Sequence, residues 1–324
     1  RATVTPALKQ FPAMWTLVRR GKCARSKMSG AATSAGGHKF ALTAVRALSL
    51  AAVVVMAGLL SMEPAAAQGK LDARYVVSLG GIPIGRGAWV IDIANGRYTA
   101  AASGTTVGLV RLFASGQGSG AARGSIRKGI LYPATYASNI LYDQRPEDLR
   151  IVLQSGAVKD VSIDPPPQPH PDRIPVPDAH RRGVLDPMTA ALIRVPGEGN
   201  PVSAEACQRT VAIFDGRMRY DLKLSFKRFE SVHANRGYEG PVTVCAVQFF
   251  PLSGYVPHRH AIIYLKDLRD AEVWLAPIAG TRVLVPYKFL LPTPFGTGVL
   301  EATQFVSVPS AGQARTTPTS ARVD

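Results

Sequence analysis

No apolar stretch of this chain is long enough to cross a membrane as a helix. The longest, Ala47–Leu60 ("ALSLAAVVVMAGLL"), holds fourteen residues, against about 20 for a helical span. That length suits the apolar core of a secretory signal, which runs to about 7–15 residues. Lys39 and Arg46 precede it, and "MEPAAAQG" follows at 62–69. Ala65 and Ala67 supply the small side chains that a signal peptidase cleft accepts, so the sequence predicts cleavage after Ala67 and a periplasmic protein. No Lys/Arg cluster follows closely enough to favour a retained anchor, and no cysteine at the cut would carry a lipid. Residues 1–27, ahead of Met28, read as a mis-called gene start or a long n-region and form no part of the expected fold.

Runs of like charge are missing too. The chain has 38 Lys+Arg against 22 Asp+Glu, a formal net charge of +16. Nine of the bases and one of the acids lie in residues 1–67, so the exported part keeps +8. Its basic residues are scattered singly through strand-like stretches without interleaved aromatics, and no nucleic-acid partner is expected. A basic exported surface can approach anionic envelope polymers, lipid headgroups or peptidoglycan-linked phosphate. The plainer reading is a solvated face.

Cysteine is scarce. Of the three, Cys23 leaves with the signal, and Cys207 and Cys245 remain. An even pair in an oxidising compartment reads as one disulfide. The alternative, a reactive thiol pair, lacks the C-x-x-C spacing and a helix start.

Catalytic motifs are equally thin. There is no G-x-S-x-G, and the Gly-rich "SGQGSGAARG" at 115–124 lacks the G-K-[S/T] ending of a phosphate loop. It reads as a strand of small residues against which another element packs closely. Five histidines follow the signal: 170, 180, 233, 258 and 260. His258 and His260, in "PHRH", would share one side of an extended chain, a spacing that can chelate a metal. His233 or Asp267 would then be a third ligand. A solvent-facing loop pair accounts for the same residues, and no cofactor is expected. Ser253 lies near His258 in sequence, as a triad would need. Paired carboxylates for glycoside cleavage would have to come from Asp215, Asp221, Glu230 or Glu239.

What the chain does have is alternation. In "VAIFDGRMRYDLKLSF", 211–226, Met218, Tyr220, Leu222, Leu224 and Phe226 alternate with polar residues, which means a strand with one wet and one buried face. Asp215-Gly216 reads as a type I′ turn, setting Ile213 opposite Met218 and Cys207 opposite Leu224. Asn95-Gly96 sets Ile93 opposite Tyr98, Ile91 opposite Ala100 and Trp89 opposite Ala102. Ahead of it, a Gly-Gly-Ile-Pro-Ile-Gly turn separates another strand from the one that carries Trp89. More strands are expected at 117–127, 130–141, 148–154, 242–250, 272–277, 281–291 and 297–307. Helices are few: about two turns after Asp186-Pro187, ended by Pro196-Gly197, and a short one over 106–116. Seven prolines in "DPPPQPHPDRIPVP", 164–177, exclude a sheet interior there. This stretch either divides two domains or leaves one continuous sheet as a surface excursion. The second is expected, because strands in 68–163 have side chains too thin to close a core alone.

The strings "YVVSLGGIPIGRGAWVI", "CQRTVAIFDGRMRYDL", "GYEGPVTVCAVQFFPLSGY", "VWLAP" and "VPYKFLLPTPFGTGVLEA", in that order after a signal, resemble the domain of unknown function 3108 family of proteobacterial exported proteins. The resemblance covers roughly 72–307. It implies a periplasmic β-rich fold and supplies no catalytic residues.

The expected architecture is mainly β: a large curved antiparallel sheet or open β-barrel-like fold with one or two short helices, over 68–308, then a disordered tail at 309–324. The expected role is non-catalytic, structural or ligand-binding in the cell envelope, with a lipid or peptide in a groove. Partners would be an envelope lipid, peptidoglycan or an envelope protein. The rival is a metal-assisted or Ser/His hydrolase using 253–260, and a third possibility is an adhesion or assembly module.

Overall fold

Two left-handed residues in a row make the tightest reversal of a β chain. Asn95 and Gly96 both have positive φ, 52° and 67°, the primed geometry that matches the twist of paired strands. Register then follows by counting, and Ile93 faces Tyr98, Ile91 faces Ala100 and Trp89 faces Ala102, as expected.

The computed structural model describes residues 68–108 and 115–310. The signal segment expected at 1–67 lies outside them, as does the tail beyond 310. The helix expected over 106–116 falls mostly outside too. Strands run β1 (Gly69–Leu79), β2 (Ile82–Ala94), β3 (Arg97–Thr106), β4 (Gly116–Arg127), β5 (Ile130–Tyr142), β6 (Arg145–Gln154) and β7 (Ala157–Asp164). After the Pro-rich stretch come β8 (Ile193–Arg194), β9 (Arg209–Phe214), β10 (Arg219–His233), β11 (Arg236–Gly237), β12 (Glu239–Ser253), β13 (Ala271–Pro277), β14 (Val283–Leu291) and β15 (Gly298–Pro309). Two α-helices are present among the described residues, α1 (Pro187–Ala190) and α2 (His260–Asp267).

All these strands belong to one sheet, ordered β7-β6-β5-β4-β3-β2-β1-β15-β14-β13-β12-β10-β9, with β11 on β15 and β8 on β14. Pairing is antiparallel throughout except for β11 with β15. The fold is therefore mainly β, a large antiparallel open sheet. Its two edge strands, β7 and β9, are joined by a strap, Arg182–Leu185. On one side Arg182 bridges Ala157, and the Val184 amide donates to Gly156 O at 3.1 Å. On the other, the Leu185 amide donates to Ala212 O and the Phe214 amide to Leu185 O, both at 2.9 Å. Both edges thus find partners for backbone groups that would otherwise stand open. Beneath the strap, Ile151, Leu153, Val184 and Phe214 form a buried cluster.

The main core lies on the inner face. Tyr75, Trp89, Ile91, Tyr98, Val244, Trp274, Tyr287 and Phe305 belong to it. Strands β12 to β14 are buried on both faces, because residues 193–207 cover their outer side. There Cys207 bonds Cys245, with Cα atoms 5.4 Å apart, among Ile193, Val195, Leu224, Val273 and Leu284.

Three local expectations are corrected. Asp215 does not open a two-residue turn: its Oδ1 accepts from the amides of Arg217 and Met218 at 2.8 and 2.6 Å. The loop widens to 215–218, Phe214 pairs with Arg219, and Leu224 faces Arg209 instead of Cys207. A shift of two keeps every side chain on its expected face. Cys207 itself ends a 3-10 turn, Ala204–Cys207, ahead of the hairpin. The helix after Asp186 spans only Pro187–Ala190, since Ile193 and Arg194 leave to pair with β14. Finally, His260, read with His258 as an extended or loop pair, opens α2 over 260–267.

Candidate functional site

Following the inner face along the first strands shows where the sheet is full and where it is hollow. At one level Ile93 faces Tyr98, and at the next Ile91, Ala100, Ala122 and Tyr136 line up across β2 to β5. The row after that is Trp89, Ala102, Gly120 and Ser138. Beyond it come Gly87, Gly104 and Gly118, with Ile140 on β5. Glycine opposite glycine opposite glycine leaves nothing to fill the space a core would occupy. The result is a cavity of about 580 Å³ at this end of the sheet, with Val77, Leu300, Tyr136 and Met188 on its walls. That size lies inside the range of ligand pockets, about 300–1,000 Å³.

The floor of the hollow is set by α1. Asp186, fully buried, caps the helix by accepting from the Met188 and Thr189 amides at 3.1 and 2.9 Å. The Thr189 hydroxyl donates to Asp186 Oδ2 at 2.6 Å, which leaves its oxygen to accept from Tyr98 OH at 2.8 Å. Burial holds the Asp186 carboxyl above its ordinary range, opposed by these hydrogen bonds. Burial likewise raises the Tyr98 and Tyr136 phenols. Met188 is thereby held where its methyl group approaches Gly120. Ile140 and Tyr142, on the wall of the hollow, are 45 and 56% exposed. The Gly80 amide donates to Thr297 O at 3.0 Å, which ties the β1–β2 turn to the loop bearing Phe295.

A second, smaller cavity of about 390 Å³ lies outside β10 and β12, beneath Ile262 and Leu265 of α2. Tyr220, Leu222, Val247, Phe249 and Phe289 line it, and Asp215 is its one ionisable carboxyl. Burial raises the Asp215 carboxyl, against amide bonds from Met218 and Arg217.

The residues singled out for chemistry fall apart in space or regroup. His258 does not act with His260, which opens α2. It meets His170 and Asp172 instead, with its Nε2 3.8 Å from Asp172 Oδ2. Ser253, 1% exposed, bonds His180 Nδ1 at 2.9 Å rather than His258. The acidic candidates are each engaged. Asp221 pairs with Arg219 at 2.6 Å, and His233 lies 3.2 Å from Glu239. Glu230 accepts from Trp274 Nε1 at 2.7 Å and from Arg228 at 2.5 Å, contacts that hold its carboxyl low. Arg228 also bonds Glu272 at 2.9 Å.

The sequence model of one protein family, "Protein of unknown function (DUF3108)", matches residues 74–303. The chain belongs to that family. The DUF3108 match starts in β1 and stops in β15, two strands that pair with each other, so it embraces the whole sheet, the strap and both cavities. No curated protein matches the chain. Among solved structures, a beta-barrel-like protein of domain of unknown function DUF1849 from Brucella abortus is similar at 9% identity. It covers 76% of this chain and 99% of its own, with a TM-score of 0.43.

A groove was expected, but its place at this end of the sheet is not legible in the sequence. "GQGSG" reads as thin strand, but which element would approach it depends on strand order. The available signal was the pairing of two thin segments, "GRG" at 85–87 and "GQGSG" at 116–120, on either side of the "AASG" strand.

Proposed function

We propose that this DUF3108 chain is an exported periplasmic β protein that holds an apolar ligand of acyl-chain type at the hollow end of its sheet. Its role in this reading is non-catalytic, as a ligand-binding or structural protein of the cell envelope. One observation carries the proposal: inner-face rows that shrink from Tyr98 to Gly104 and Gly118, leaving an apolar cavity of about 580 Å³. Apolar surface left without partners favours an apolar occupant, and the exposed lining residues Ile140 and Tyr142 suit entry of a greasy molecule. The signal-like leader and the Cys207–Cys245 bond support the oxidising compartment.

Native mass spectrometry of the protein from its own envelope fraction, followed by solvent extraction, tests this directly. A stoichiometric adduct that extracts as a lipid supports the reading. Protein that emerges bare, and that takes up no fatty acid or phospholipid when offered them, contradicts it.

A further inference from the structure

The Pro-rich segment does more than bridge β7 and the strap. Its Arg173 guanidinium donates to Gly254 O at 2.7 Å, the Ile174 amide to Tyr255 O at 2.9 Å, and the Gly254 amide to Ile174 O at 2.8 Å. These bonds fasten residues 170–174 to the loop that runs from β12 into α2. Three side chains converge where the segments meet. His170 and Asp172 come from the first and His258 from the second, each offering one ligand atom, all within 4.8 Å of one another. The two imidazole rings are 5.8 Å apart between centroids.

From this convergence we infer that His170, Asp172 and His258 form a binding site for a divalent transition-metal ion of the zinc type. Two imidazoles and one carboxylate are the donor set that borderline ions prefer over the all-oxygen sets of calcium or magnesium. Three protein ligands leave a fourth position to water, since His258 and Asp172 side chains are 63% and 59% exposed. The Asp172 amide donates to His170 Nδ1 at 3.2 Å, at the long end of a hydrogen bond, and the neutral ring gives this bond up when it turns a lone pair to the ion. An ion here crosslinks the Pro-rich segment to the entry of α2, two residues beyond His258, and so to the wall of the smaller cavity. The site is independent of the apolar hollow.

The test is titration of the EDTA-stripped, disulfide-intact protein with zinc chloride, followed by calorimetry, with cobalt(II) absorption as a second readout. Expected is uptake of about one ion per chain and a visible cobalt band typical of nitrogen-containing low coordination. His170→Ala, Asp172→Asn and His258→Ala should each weaken binding by more than the roughly 10–100-fold that loss of an outer-shell partner produces. His260→Ala should leave it unchanged. Circular dichroism verifies folding in every variant; Asp172, His258 and His260 are exposed and His170 half-buried. Failure to take up zinc stoichiometrically, or uptake that survives His170→Ala and His258→Ala, overturns the assignment, whatever the hollow binds.

Discussion

Arg217 holds Glu147 at 2.6 Å, and this pair spans the line where the two ends of the sheet come together. Arg217 sits in the β9–β10 loop and Glu147 near the start of β6. Their side chains are 37% and 33% exposed, so solvent screens the pair, and Glu147→Gln should cost less than about 1 kcal/mol. Phe214, 2% exposed beneath the same line, should matter far more. Phe214→Ala is expected to cost about 3–5 kcal/mol. Urea unfolding of both variants checks the contrast, and equal losses would mean that the closure is ionic rather than apolar.

Reduction should loosen the other half. The Cys207–Cys245 bond closes a loop with a sequence separation of 38, and the chain-entropy model gives about 4 kcal/mol for such a loop. Unfolding with and without reductant, and of Cys207→Ser/Cys245→Ser, should show a loss of that order. Both sulfurs are fully buried, so exposed free thiols in the untreated protein would contradict the bond.

A pH signature is expected from Asp186. Burial raises its carboxyl above the ordinary 3.8, so the folded protein keeps that proton to higher pH than the unfolded chain does. Its contribution is complete below the unfolded value and declines as pH rises through the folded one. Wild type should therefore gain stability relative to Asp186→Asn as pH falls from neutral toward about 4. The comparison cancels groups of opposite sign such as Glu230, whose carboxyl is held low mainly by Trp274. A difference that stays constant with pH, or wild type losing ground to Asp186→Asn on acidification, would show that Asp186 is not the responsible group.

The sheet was largely legible because its signals are local. Asn95-Gly96 demands positive φ twice and so sets its own register, and Asp186-Pro187 marks a helix start wherever it stands. Asp215-Gly216 misleads for an equally local reason: an aspartate that takes two downstream amides builds a wider loop than the dipeptide suggests. The helix at 260–267 has no side-chain cap at Arg259 to announce it. The sites are another matter. His258 finds His170 across a long stretch of chain, and Gly87, Gly104 and Gly118 become a hollow only once three strands are side by side.

Gly118→Leu tests the hollow most directly. A Cβ at Gly118 would stand 3.4 Å or more from its neighbours, so the backbone tolerates a side chain that would occupy the space. The matched control is Thr99→Leu, exposed on the opposite face of β3 and outside the cavity lining. Titration with a fluorescent fatty acid should show saturable binding to wild type and to Thr99→Leu, weakened by about tenfold or more, roughly 1.4 kcal/mol, in Gly118→Leu. Equal binding by all three proteins would place the ligand elsewhere and contradict an acyl-binding hollow.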